Sequence, residues 1–255
     1  MDLAAISAAA QAYECPDNAL QGKVILVTGA GDGIGRAAAL TFAEHGATVI
    51  LLGRTPEKLE RVYDEIERRG GPQPAIVPMN LAVVTPDQCL ELSNMLGAAF
   101  PQLDGILHNA SSLGNITPIE NYDEGTWDTV MQVNVNAGFY LTRALMPMLR
   151  ASNDARIVFT SSSVGRKGRA FWGAYAVSKF ATEGLMQVLA DELENTGNIT
   201  VHSINPGGTR TDMRAQAYPG EDPLTRKTPE EIMPAYLYLF GPEGAKHTGL
   251  AIDAQ

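Results

Sequence analysis

Short aliphatic runs that alternate with helical stretches predict an α/β protein built on a doubly wound parallel sheet of about seven strands, with helices on both faces. Two further observations support this. Polar and glycine-rich segments fall directly after the apolar runs, at 28–35, 108–111, 161–163 and 205–209, so one edge of the sheet gathers them. Parallel neighbours also need crossover connections, which are right-handed and cover the sheet with helices.

The first run, at 24–27, reads V-I-L-V and is followed by T-G-A-G-D-G-I-G. Gly29, Gly31, Gly33 and Gly35 crowd into one turn before a stretch of helical composition at 36–45. Strand, glycine turn and helix are the parts of a Rossmann-type dinucleotide-binding unit. Glycine lets the backbone approach a pyrophosphate, and the free N–H groups at the helix start attract its charge. The spacing is T-G-x-x-x-G-x-G, carried by Gly29, Gly33 and Gly35, rather than G-x-G-x-x-G. A second strand is expected at 47–52, after Gly46 as a helix C-cap. Thr55 and Pro56 then supply an N-cap and a first helical residue for a helix through Arg69, which Gly70 ends. A third strand at 75–79 precedes a helix that Thr85 and Pro86 open in the same way, and a fourth strand follows at 104–107. Residues 126–150 form a long helical pattern in which Pro147 predicts a kink or an early end. Strands at 156–160, 199–204 and 249–252 and helices at 174–195 and 229–240 complete the pattern.

At 255 residues the chain fits one domain, 1–255, with residues 1–20 as an N-terminal extension. The stretch 1–12 is apolar and alanine-rich but carries Asp2 and no basic residue. It reads as a flexible or surface-packed extension rather than a signal peptide. No apolar run reaches the ~20 residues of a bilayer span, so no membrane partner is expected. A formal charge of −10 argues against nucleic acid, whose phosphates need a basic face. Cys15 and Cys89 have neither metal-site nor disulfide spacing, which suits reduced thiols in a cytoplasmic enzyme with no metal.

Chemistry enters with Tyr175 and Lys179, a Y-x-x-x-K pair that one helix face presents together. The same pair describes an ordinary solvated face, but an ammonium beside a phenol favours the phenolate. The Ser161-Ser162-Ser163 run after the fifth strand brings a hydroxyl to the same edge, or simply a polar loop.

These pieces, in this order, resemble the short-chain dehydrogenase/reductase family from Lys23 to Ile252. They are T-G-A-G-D-G-I-G, H-N-A-S at 108–111, N-V-N from Asn134, S-S-V-G from Ser162, Y-A-V-S-K from Tyr175 and N-P-G-G-T from Asn205. The segments around 158–170 and 204–211 look like one bacterial subgroup of it. The resemblance implies that Tyr175 is the general acid in carbonyl reduction and the base in alcohol oxidation. Lys179 would lower its pKa and bond the nicotinamide ribose, Ser162 would hold the substrate oxygen, and Asn134 would fix a relay water. The resemblance also places Gly29, Gly31, Asp32, Gly33, Ile34, Gly35, Asn80, Leu81, Asn109, Ala110, Pro206, Gly207 and Thr209 around the cofactor, with Tyr175 and Lys179. Two departures stand out. H-N-A-S replaces the usual N-N-A-G, with His108 read as structural, and Asn80 stands where an aspartate is common.

The second strand ends in Gly53-Arg54 rather than in the acidic residue that accepts hydrogen bonds from an NAD ribose. Glycine makes room and a guanidinium grips a 2′-phosphate, so NADP, bound as NADPH, is expected, with Arg54 as its reader. The carbonyl or alcohol substrate is expected among loops 112–122, 166–173 and 211–229, the last a candidate lid. Arg166, Lys167, Arg169, Arg210 and Arg214 there form an anion pocket, surface cations or subunit contacts; Phe171 and Trp172 form an apolar wall or an interface. The family resemblance implies a homodimer or homotetramer. The alternative to an enzyme is an idle NADPH-binding sensor or scaffold.

Overall fold

The computed structural model describes residues 2–255, so Met1 of the N-terminal extension lies outside the described residues. Seven parallel strands form one sheet. They are β1 (Val24–Thr28), β2 (Thr48–Gly53), β3 (Ala75–Pro78), β4 (Gly105–His108), β5 (Ala155–Thr160), β6 (Ile199–Asn205) and β7 (Leu250–Asp253). The order β3-β2-β1-β4-β5-β6-β7 reverses direction between β1 and β4, the place where open α/β sheets leave a crevice at their carboxyl edge.

Nine α-helices connect or flank the strands among the described residues: α1 (Leu3–Gln11), α2 (Gly33–Glu44), α3 (Pro56–Arg68), α4 (Pro86–Ala99), α5 (Glu124–Met131), α6 (Ala137–Ala151), α7 (Gly173–Leu193), α8 (Asp212–Ala217) and α9 (Met233–Phe240). Alternation along each strand fills two cores. Ile25, Val27, Val49 and Leu51 point to the face covered by α2, α3 and α9. Leu26, Ile50, Leu52 and Ile106 point to the face covered by α4, α6 and α7.

The structure changes several expected boundaries. Helix α2 starts at Gly33 rather than Arg36, because the Asp32 carboxylate accepts from the Gly33 N–H and serves as N-cap. At α4 the Thr85 hydroxyl and the Gln88 side chain form a reciprocal capping box, as the Thr-Pro start implied. At α3 the Thr55 hydroxyl makes no capping bond. The helix expected at 126–150 starts at Glu124 and includes one π-turn, Gln132–Asn136, between α5 and α6. Pro147 does not end it: α6 runs on to Ala151.

The N-terminal stretch is surface-packed rather than loose. Asp2 caps α1, which lies against α9 and β7 with Ala10 fully buried. The Ser7 hydroxyl accepts from Asp253 N at 3.0 Å, and Gln11 Nε2 donates to Asp253 O at 3.0 Å, so α1 clasps the end of the edge strand. Deleting residues 1–12 removes both bonds and that cover. It should lower stability by about 2–3 kcal/mol, read as a lower urea midpoint; an unchanged midpoint would show α1 to be a passive attachment.

Candidate active site

The carboxyl edge of the sheet opens into a cleft of about 540 Å³ beside the glycine turn. The backbone there is as close-packed as the turn requires. A Cβ at Gly35 would lie 2.2 Å from the Gly29 carbonyl oxygen, and one at Gly29, where φ is +69°, would lie 3.1 Å from Ala110 Cα. Glycine at both positions lets the turn close on itself and on the loop after β4, while Gly31, Gly33 and Ile34 at the start of α2 line the cleft. That is the shape and polarity a pyrophosphate requires, so the residues present fit a dinucleotide.

Thr28 joins the two halves of this edge. Its buried hydroxyl accepts from Asn109 N at 2.9 Å and Ala110 N at 3.0 Å and lies 3.3 Å from Leu107 O, to which it donates. Asn109 Nδ2 in turn donates to Thr28 O at 3.3 Å. The cleft is lined by Gly29, Gly31, Asp32, Gly33, Ile34, Arg54, Asn80, Leu81, Asn109, Ala110, Tyr175, Lys179 and Pro206, thirteen of the positions expected around a cofactor. Gly35 sits behind the turn. Gly207 (φ +69°) and the buried Thr209 shape the loop after β6, whose Pro206 O accepts from Thr209 Oγ1 at 2.9 Å and from Gln255 Nε2 at 2.6 Å.

Tyr175 and Lys179 lie one turn apart on α7, both buried, with Lys179 Nζ 5.4 Å from the centre of the Tyr175 ring. Lys179 Nζ donates to Thr160 O at 2.7 Å, and burial holds its ammonium down to about pKa 8 against the upward pull of Glu183. Burial also pushes the Tyr175 phenol up to about 12, opposed by the hydroxyls of Ser162 and Ser111. Of the four residues expected to carry chemistry, the structure thus brings three together: Ser162, Tyr175 and Lys179.

Asn134 lies in the π-turn, a local distortion common where a helix serves a site, and lines a small cavity of about 10 Å³ together with Lys179, Thr160 and Thr182. Its side chain is fully engaged. Oδ1 accepts from Ser112 N at 2.7 Å, while Nδ2 donates to Ser112 O at 3.0 Å and to Ser178 Oγ at 2.9 Å. It therefore clamps the loop after β4 to α7. His108 is buried against Phe159, bonds Thr142 Oγ1 at 2.8 Å, and has its pKa held down to about 3 by burial, so it is neutral and structural as expected.

The loops expected around a substrate are more ordered than their composition implied. The 211–229 segment contains α8, and Glu221 pins it: the carboxylate takes a paired ion contact from Arg214 at 2.6 and 2.7 Å and a further one from Arg226. Arg166 is held by Glu183 and Asp253, and Arg210 donates to the Pro223 and Arg226 carbonyls. Arg169 lies over the rings of Trp172 and Tyr218. Around Tyr175 the packing is apolar, with Leu113, Val164 and Ala176, then Trp172, Met213 and Ala217. Trp172 thus stands in the site wall, whereas Phe171 is exposed, at φ +72°.

Sequence reasoning missed Ser111, Lys58 and Glu221. In the sequence Ser111 stands only as a departure from the usual glycine, yet its buried hydroxyl has no well-formed hydrogen bond among the described residues and lies toward Tyr175. Lys58 lines the cleft and its ammonium donates to Asp32. Its place in the first turn of α3, three residues after Thr55, was the available signal. The partnership of Glu221 with two arginines depends on how a loop folds and left no periodic trace.

Residues 23–222 match the short chain dehydrogenase family profile, and the chain belongs to that family. It is 53% identical over 243 residues to the oxidoreductase YciK of Escherichia coli K12, covering 95% of this chain and 96% of that one. Among solved structures, a short chain dehydrogenase of Shigella flexneri 2a complexed with NADP superposes with a TM-score of 0.92 at 53% identity, over 94% of this chain and 100% of that one. One from Escherichia coli CFT073 complexed with NADPH gives 0.91 at 54% identity, again over 94% and 100%.

The Lys179 environment has a measurable consequence. The unfolded lysine keeps its proton to near its ordinary value of 10.5, whereas the folded one loses it near 8. Between those values the unfolded state binds more protons, so this group's penalty on stability fades as pH rises. From pH 8 to pH 10 the wild type should gain about 2 kcal/mol relative to Lys179→Met in urea unfolding. Parallel curves for the two proteins would contradict the burial argument.

Proposed function

We propose that this protein is an NADP(H)-dependent oxidoreductase that interconverts a carbonyl compound and a secondary alcohol, with Tyr175 as the proton donor and acceptor. The observation that carries the reading is the Ser162 hydroxyl against the Tyr175 phenol, with the buried Lys179 Nζ 5.4 Å from that ring, where Tyr175 and Lys179 line the cleft beside the glycine turn. The bound nicotinamide would supply the hydride. With its pKa near 12 the phenol carries its proton at neutral pH, the form needed to protonate a carbonyl oxygen in reduction. Ser162 would hold that oxygen beside the phenol, and the Lys179 ammonium, 5.4 Å from the ring, would offset the charge of the phenolate left when the proton is given up. Asn134 acts as a positioning residue that fixes the loop carrying Ser111 and Ser112.

NADP is supported over NAD by the end of β2. Gly53 and Arg54 line the cleft with no carboxylate at the strand end, and Arg54 is exposed and without a hydrogen-bond or ion-pair partner among the described residues. The NADP and NADPH complexes of the two relatives support the same choice. The loop arginines weighed as an anion pocket are already held by carboxylates, carbonyls or rings, and the surroundings of Tyr175 are apolar, which favours an uncharged carbonyl substrate. Exposed Phe139, Val177, Phe180 and Val188 on α6 and α7 support a homodimer or homotetramer built through these helices, and the free cysteines fit a cytoplasmic enzyme.

Tyr175→Phe should lower NADPH-dependent reduction in a screen of ketones, aldehydes and quinones by at least about a hundredfold, while NADPH affinity stays within about twofold; undiminished turnover would reject Tyr175 as the acid. Arg54→Glu should weaken NADPH binding by about a hundredfold in fluorescence titration and leave NADH little changed. Equal dissociation constants for the two nucleotides in the wild type would overturn the NADP reading.

A further inference from the structure

An acidic residue stands in the phosphate turn itself. The Asp32 carboxylate lies between Gly31 and Gly33 and lines the same cleft as Arg54 and Thr55, where a phosphorylated nucleotide would meet like charge. Lys58 answers it. A Cβ at Gly31 would lie 2.8 Å from Lys58 Cβ, so the first turn of α3 sits directly on the glycine turn, and the Lys58 ammonium donates to Asp32 Oδ2. Both side chains are about half exposed, and an ion pair of that kind contributes little by itself. Partner exchange there is easy. The Thr55 hydroxyl beside them makes no capping bond, and Arg54 has no partner among the described residues. Three uncommitted or loosely committed donors thus surround one end of the cleft.

We propose that Lys58 is a second cation for the 2′-phosphate of NADP(H), held in place by Asp32 and exchanged from that carboxylate to the phosphate when the nucleotide binds. The inference rests on the NADP(H) reading above. An ammonium gains more from a phosphate near two negative charges than from one carboxylate, so the exchange runs toward the nucleotide. Asp32 then plays two opposed parts. It orients Lys58 and caps α2 through Gly33, and its charge limits how tightly the phosphate is held. The remaining charges around the pair are Arg36, one turn along α2, and Arg61, Asp64, Glu65 and Arg68 in the groove between α2 and α3. Arg68 is bound to Glu65 and Arg36 lies 3.9 Å from Glu230, and of these cations Lys58 is the one whose ion contact with Asp32 is direct among the described residues.

The test is a fluorescence titration of wild type, Lys58→Met and Asp32→Asn with NADPH and NADH, at low and high salt, with thermal melts confirming folding. Lys58→Met should weaken NADPH about tenfold, change NADH less than about twofold, and reduce the salt dependence of NADPH binding. Asp32→Asn keeps a good N-cap and should raise the NADPH-to-NADH affinity ratio about threefold, with NADPH bound more tightly than by the wild type. A wild type that prefers NADPH, joined to a Lys58→Met protein with the same NADPH-to-NADH ratio, overturns the role of Lys58 and leaves the NADP reading standing. Weaker NADPH binding by Asp32→Asn overturns the exchange. No preference in the wild type overturns both readings together.

Discussion

The hydroxyl of Thr28 bonds the end of β1 to the start of the loop after β4, across the point where the strand order reverses. Two backbone N–H groups converge on one buried oxygen, and a carbonyl takes its proton. The two halves of the crevice are therefore fixed to each other rather than merely adjacent. Gly29 and Gly35 sit within that closeness: a Cβ at Gly35 would lie 2.7 Å from Asn109 Nδ2 and 2.2 Å from Gly29 O, and one at Gly29 would press on Ala110 at 3.1 Å. So does the loop through Ser111 and Ser112, which Asn134 then clamps to α7. The π-turn puts Asn134 where it can reach both. A chain of short polar contacts thus runs from the glycine turn to the helix that carries Tyr175 and Lys179.

Within that frame, burial sets the electrostatics. It drives Tyr175 up and Lys179 down, so both lean toward the uncharged form. Lys179 bonds the Thr160 carbonyl rather than the phenol oxygen, and Ser162 and Ser111 are the groups that favour the phenolate. A protonated phenol flanked by hydroxyl donors is a store for one transferable proton. The glycine end has the opposite character, half exposed and charged at Asp32, Lys58 and Arg54, where a soluble phosphate is to be met.

Much of this was legible in the sequence. Every strand lies within a residue or so of its expected place, because buried parallel strands are written as unbroken aliphatic runs. The residues around the cleft came from ordered motifs, and thirteen of them line it. What escaped has physical reasons. Asp32 caps α2 through one carboxylate–amide bond, so helical periodicity alone set the start three residues late. Pro147 sits inside a helix whose burial against the sheet outweighs the lost backbone bond. The packing of α1 on α9 and β7, the pairing of Lys58 with Asp32 and the pinning of 211–229 by Glu221 join residues remote in sequence or held in loops, where no period records them.

The central claim is that a hydride carrier and a proton-bearing phenol meet in one cleft. Turnover of NADPH deuterated at nicotinamide C4 with ketones, aldehydes and quinones tests it directly, with the alcohol products analysed by mass spectrometry. The account predicts deuterium on the carbinol carbon with the wild type and at least about a hundredfold less product with Tyr175→Phe. Deuterated alcohol formed equally by both proteins, or by neither, would contradict it.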